Sequence, residues 1–111
     1  GGVDFGESLT EALVRELKEE TRLDIRPEAL VLVNDSIAPD GARHVVNLCF
    51  TASVTGGTLE VGEDHRITAV AFVPLDDLAR LDLRPACNAE LLKACREGFP
   101  HQAAYPGNIW K

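Results

Sequence analysis

A chain of 111 residues with 45% apolar side chains is long enough for one domain with one modest core, and too apolar for a disordered segment. Eighteen Asp and Glu against eleven Lys and Arg give a formal charge of -7, which argues against holding a nucleic-acid polymer by bulk electrostatics and implies that a phosphorylated ligand needs a bridging cation. No apolar run approaches the roughly 18 residues of a membrane helix and no signal-peptide pattern opens the chain, so no membrane partner is expected and the default location is cytoplasmic.

The elements follow in chain order, with no repeat, low-complexity tract or dividing linker, so residues 1–111 read as a single domain. Ser8-x-x-Glu11 is a capping-box signature and predicts a helix from about Leu9 to about Thr21. The segments ALVLVND (29–35), RHVVNLCFTASV (43–54) and RITAVAFVP (66–74) are β-branched and apolar and are punctuated by turn-rich APDG and TGG, so they read as strands. LDDLARL (75–81) reads as a short helix and NAELLKACREG (88–98) as another, with Gly98 as its stop. The order predicts an α/β layered sandwich, helices packed on a mixed sheet. Cys49, Cys87 and Cys95 form no C-x-x-C pair and are odd in number, so neither a zinc site nor a disulfide framework is indicated; buried thiols are expected.

The first helix carries the chemistry. On a wheel of 100° per residue, Glu20 lies about 40° from Glu16 and Glu19 about 60° to its other side. Leu9, Leu13 and Leu17 fall at about 20°, 60° and 100°. The three carboxylates therefore border the apolar stripe, while Glu11, Arg15 and Lys18 fall on the face expected to meet solvent. Glu16 and Glu20 are i,i+4 neighbours of like charge, a pairing that is unfavourable unless something positive sits between them. A hard divalent cation, held by carboxylates together with substrate phosphates, is one such group. The plainer reading is a solvated helix laced with Glu11–Arg15 and Arg15–Glu19 ion pairs.

The flanking spacing decides between them. Gly1, Glu7, then Arg15-Glu16-Leu17-Lys18-Glu19-Glu20, then Thr21-Arg22-Leu23 resembles the Nudix box, G-x5-E-x7-R-E-U-x-E-E-x-G-U, where U is bulky and apolar. Every defined position agrees except the last glycine, replaced by Arg22. Later elements follow the order of a Nudix domain, and FVPLDDL (72–78) looks like the segment after its late strand. The resemblance implies a Nudix-like α/β/α sandwich, and a metal-dependent hydrolase of nucleoside diphosphates linked to another moiety. It implies Mg2+ or Mn2+ bound by Glu16, Glu19, Glu20 and the Gly1 carbonyl, with Glu7 and Arg15 orienting the carboxylates. Glu16 or Glu20 would serve as general base, or else a loop carboxylate among Glu60, Glu63 and Asp64, which read equally well as a solvated turn. Arg22 stands where a left-handed glycine is usual, which bears on stability more than on chemistry. The family also carries strands before the box, so the chain is expected to be truncated at its front. The edge this would uncover would favour pairing as a homodimer.

Substrate signals are thin. Pro39 stands sixteen residues after Leu23, the spacing at which the ADP-ribose pyrophosphatase subgroup carries a proline, although a turn proline in APDG is the better reading. Tyr105 and Trp110 are suited to stacking on a base or, preferably, to docking the tail. His44, His65 and His101 show no ligand spacing. The expected substrate is thus a nucleotide such as ADP-ribose, another nucleotide sugar or a nucleoside triphosphate; the alternative is a catalytically silent Nudix-like module that binds a nucleotide or a partner.

Overall fold

The structure is a computed structural model that describes residues 2–63, 66–83, 86–98, 103 and 109. Its elements are α1 (Leu9–Thr21), β1 (Leu23–Ile37), β2 (His44–Gly57), a 3-10 helix (Leu75–Arg80) and α2 (Asn88–Glu97). Two compact units are distinguished: Gly1–Ala29 with Thr51–Phe72, and Leu30–Phe50 with Val73–Lys111. The α/β class expected from the sequence is the class observed.

In the first unit α1 begins where its caps place it. Ser8 Oγ accepts from the Glu11 amide at 3.2 Å and Glu11 Oε1 accepts from the Ser8 amide at 3.4 Å, so both halves of the capping box form. Ala12 is the buried residue of the helix, Leu13, Leu17, Glu16 and Glu20 are half-buried, and Leu9 is exposed. The covered face is therefore centred nearer Ala12 and Glu16 than the leucine stripe suggested. The helix stops at Arg22, whose backbone is left-handed at φ 63° and whose N–H bonds the Lys18 carbonyl at 3.1 Å. The residue predicted to be out of place does adopt the glycine conformation.

β1 and β2 are neighbours in one antiparallel two-stranded sheet. Three pairs fix its register. Glu28 meets Ser53 in the first unit, while in the second Asn34 meets Asn47 and Ala38 meets Arg43. β1 begins six residues before the predicted segment, because Leu23, Ile25 and Pro27 alternate with exposed Asp24, Arg26 and Glu28, the pattern of a strand covered on one face. Around Val31 and Leu32 the alternation stops, as it does when both faces are covered. The connecting turn, 38–41, is closed by the Gly41 amide on the Ala38 carbonyl at 2.9 Å. Pro39 takes its second position, where a fixed φ is preorganised, and Gly41 has φ 73°.

The run 66–74 is a correction. It joins no ladder among the described residues, and Phe72 and Val73 are exposed. A β-branched sequence becomes a strand only where a neighbouring edge accepts its N–H and C=O groups; propensity alone does not supply that edge. The sheet among the described residues is accordingly antiparallel rather than mixed.

In the second unit Val31, Leu32 and Cys87 form the buried cluster, flanked by Cys49, Leu83, Leu91 and Ile109. The Asn88 side chain donates to the carbonyls of Leu78 and Leu81, stitching α2 to the 3-10 helix. The Ile109 amide bonds the Asp35 carbonyl at 2.8 Å, which returns that residue to β1. Burial pushes the Cys49 thiol up and the Cys87 thiol up to about 11, so both are poor nucleophiles at neutral pH. All three cysteines are free, and Cys95 is exposed rather than buried. No helix among the described residues is long and apolar enough to cross a membrane.

The capping box gives a direct test. Ser8→Ala removes the acceptor for the Glu11 amide and is expected to lower stability by about 1 kcal/mol, read from the midpoint of urea unfolding with an unchanged slope.

Candidate catalytic and metal site

The site is built around one guanidinium. Arg15 donates from Nε to Glu7 Oε2 at 2.7 Å and from Nη2 to Glu7 Oε1 at 3.0 Å, a bidentate fork. Nη2 also donates to the Gly2 carbonyl at 2.9 Å, and Nη1 donates to Glu16 Oε1 at 3.1 Å and Glu19 Oε2 at 3.3 Å. Asp4 Oδ2 adds an ion pair at 3.5 Å. The wheel placed Arg15 on the solvent side, yet its side chain is only 28% exposed. Helical side chains lean towards the N-terminus, and a long arginine on that slant reaches the 2–7 segment ahead of α1.

That segment is preshaped to receive it. The Glu7 amide bonds the Asp4 carbonyl at 3.1 Å, the Asp4 amide bonds Glu7 Oε1 at 2.9 Å, and Gly6 takes φ 83° between them. Hydrogen bonds from Arg15 first, and from the Asp4 amide second, hold the Glu7 carboxyl at about 2, well below its ordinary 4.5. The same bonds from Glu7 raise the Arg15 pKa further, so the guanidinium is charged at any relevant pH. Arg15 supplies positive charge to two of the three crowded glutamates, Glu16 and Glu19. Glu16 and Glu19 share its Nη1, with the Glu16 side chain 18% exposed and that of Glu19 52% exposed.

Glu20 is half-buried on the covered side of the same turn, and its carbonyl accepts from the Gly62 amide at 3.0 Å. Of the loop carboxylates, Glu60 and Glu63 bond through their amides to the carbonyls of Thr21 and Glu19, each at 3.0 Å. The Glu63 side chain meets Arg22 Nη2 at 3.5 Å. Structure therefore gathers Glu7, Arg15, Glu16 and Glu19 side chain to side chain, and brings the 60–63 loop to the end of the same helix by its backbone. Pro39, in the second unit, is an exposed turn residue. His44, read as a single histidine, pairs through Nε2 with Asp35 at 2.9 Å. Gly1, Asp64, His65, His101, Tyr105 and Trp110 lie outside the described residues. Asp4, the Gly2 carbonyl and Gly62 were not anticipated. The first two offer no motif signal; Gly62, beside two acidic residues, was legible only as a turn.

Among the described residues no three His, Cys, Asp or Glu side chains stand together as a ready metal cage. The donor chemistry nevertheless fits a hard divalent ion: oxygen-only, anionic, and spaced i, i+3 and i+4 on one capped helix, with one carboxylate oxygen each of Glu16 and Glu19 committed to Arg15.

The family model described as NUDIX domain matches residues 1–95. Over 81 residues the chain is 38% identical to an ADP-ribose pyrophosphatase of Methanocaldococcus jannaschii, a stretch that covers 73% of this chain and 47% of that protein. The chain thus spans about half the length of the curated relative it matches.

The Glu7–Arg15 fork has a pH signature. Because the Glu7 carboxyl titrates near 2 when folded and near 4.5 otherwise, its stabilising contribution is complete above about 4.5 and is lost as pH falls towards about 2. Thermal unfolding followed between those pH values is expected to show a shallower acid slope for Glu7→Gln than for the wild type; identical slopes would rule out the fork as the source.

Proposed function

The chain belongs to the Nudix family, and from that premise we propose that it is a pyrophosphohydrolase whose site is the Arg15-centred carboxylate cluster on α1. The substrate class is a nucleoside diphosphate linked to a second moiety, with ADP-ribose first, as the name of the archaeal relative suggests. The single observation that carries this reading is the gathering of Glu7, Glu16 and Glu19 on one guanidinium beside Glu20. Five carboxylate and carbonyl contacts to one side chain order the cluster before any ligand arrives.

Hydrolysis adds water to one phosphorus and breaks its bond to the bridging oxygen, so that ADP-ribose would yield AMP and a ribose phosphate. Glu16, Glu19, Glu20 and the Gly1 carbonyl are the proposed oxygen ligands of Mg2+ or Mn2+. When bound, the cation supplies neutralisation of the pyrophosphate charge and a more acidic attacking water. A carboxylate then takes the water's proton; Glu20, half-buried beside Glu19 in the last turn of α1, is the proposed base, with Glu16 the other candidate on the helix. Arg15 holds its two glutamates at fixed angles, and Glu7 holds Arg15. Glu63 and Asp64 are alternative bases from the loop, and Pro39, Tyr105 and Trp110 are candidate contacts to the nucleotide. The cytosol is the proposed location.

The test is release of AMP and other monophosphates from ADP-ribose, nucleotide sugars and nucleoside triphosphates, with Mg2+ or Mn2+. Glu20→Gln is expected to lower kcat by about 100-fold or more, in line with loss of a general base, with KM changed far less. Turnover that survives Glu20→Gln but not Glu63→Gln would move the base to the loop. A folded wild type that binds nucleotide without turning it over would replace the enzyme with a binding module.

A further inference from the structure

The last turn of α1 carries Glu19 and Glu20, the turn most prone to fray because its carbonyls have no partner within the helix. Here every one of them has a partner. Leu17 accepts from the Thr21 hydroxyl, Lys18 from the Arg22 amide, Glu19 from the Glu63 amide, Glu20 from the Gly62 amide and Thr21 from the Glu60 amide. Three of those donors belong to residues 60–63, some forty residues further along the chain. The loop lies so close that a β-carbon on Gly62 would collide with the Glu19 carbonyl and press on the carbonyl carbon of Glu20. Only glycine fits there.

Arg22 closes the same strap from the other side. Its left-handed backbone is strained for an arginine, and its Nε is buried without a hydrogen-bond partner among the described residues. A glycine would end the helix without either penalty. What arginine adds is a guanidinium whose Nη2 meets Glu63 Oε1 at 3.5 Å, tethering the loop by its side chain as well as by its backbone. On the far side, a β-carbon on Gly57 would strike the Arg22 carbonyl, so β2 also ends hard against this corner.

We propose that residues 60–63 are a strap that sets the geometry of the Glu19 and Glu20 carboxylates, with Gly62 and Arg22 as its positioning residues. This rests on the reading of those glutamates as cation ligands. Holding their backbone carbonyls fixes the last helical turn, and the turn fixes the directions in which the two side chains leave the helix. Without the strap the turn frays, and the ligand set must be reordered each time a cation binds.

The test uses the whole chain and Mn2+ as probe, with free Mn2+ counted by electron paramagnetic resonance and amide exchange followed by NMR. Gly62→Ala is expected to speed exchange at the amides of residues 60, 62 and 63 by at least 10-fold and to weaken Mn2+ binding by about 10-fold. Arg22→Gly, which relieves backbone strain and so guards against a mere folding defect, is expected to keep or raise the melting midpoint while weakening Mn2+ binding about threefold. Arg22→Lys, which keeps a cation for Glu63, should recover part of that loss. Mn2+ affinity unchanged in both variants, whatever happens to the melting midpoint, would make the strap a purely stabilising contact and overturn the proposal. A wild type that binds no Mn2+ would instead overturn the hydrolase reading on which it rests.

Discussion

The first unit depends on one charged contact, the fork between Arg15 and Glu7. Five acidic or carbonyl groups converge on a single guanidinium, and without it Glu16 and Glu19 would face each other across a few ångströms of half-excluded water. Arginine suits this work because its planar donors are fixed in direction and always charged, whereas a lysine ammonium is a point charge that cannot bond a carboxylate through two parallel donors. The fork also ties the 2–7 segment to α1, so the cluster and the path of the chain into the helix are ordered by the same bonds.

The two ends of α1 are finished by different means. At its start, the capping box satisfies the free amides from residues next in sequence. At its end, the free carbonyls are taken up by a distant loop, and the helix stop itself is a left-handed arginine. The catalytic reading places its ligands in this second half, where the helix is held from outside itself. A site that has to keep like charges together gains from such external restraint, because repulsion between them is strongest where the backbone is loosest.

The second unit has a different organisation. Its core is small, Val31 and Leu32 of β1 with Cys87 ahead of α2, and polar pairs run beside it: Asn47 donates to Asn34 and to Ser36, and His44 meets Asp35 on the neighbouring positions. Alternate residues of β1 thus send one set of polar groups to each face, as the twofold repeat of a strand requires. Asn34 is wholly buried, and its bond from Asn47 fixes the register of the hairpin, since a slip of one residue would leave the buried Asn34 side-chain oxygen without its donor.

By itself the sequence determined what is local. Ser8 and Glu11 mark the helix start because capping is an interaction between residues three apart, and the glutamate spacing identifies the site because a helix converts spacing into direction at a fixed angle per residue. Pro39 and Gly41 likewise mark the turn they make. The tertiary structure decided whatever depends on a partner far along the chain. Arg15 left the solvent face because its length let it reach Glu7, a choice among neighbours that a wheel does not contain. The run 66–74 was read as a strand from its side chains, but a strand is defined by a second backbone, and that was not in its sequence. The role of Gly62 was hidden for the same reason: its missing β-carbon matters only because the end of a helix forty residues earlier lies against it.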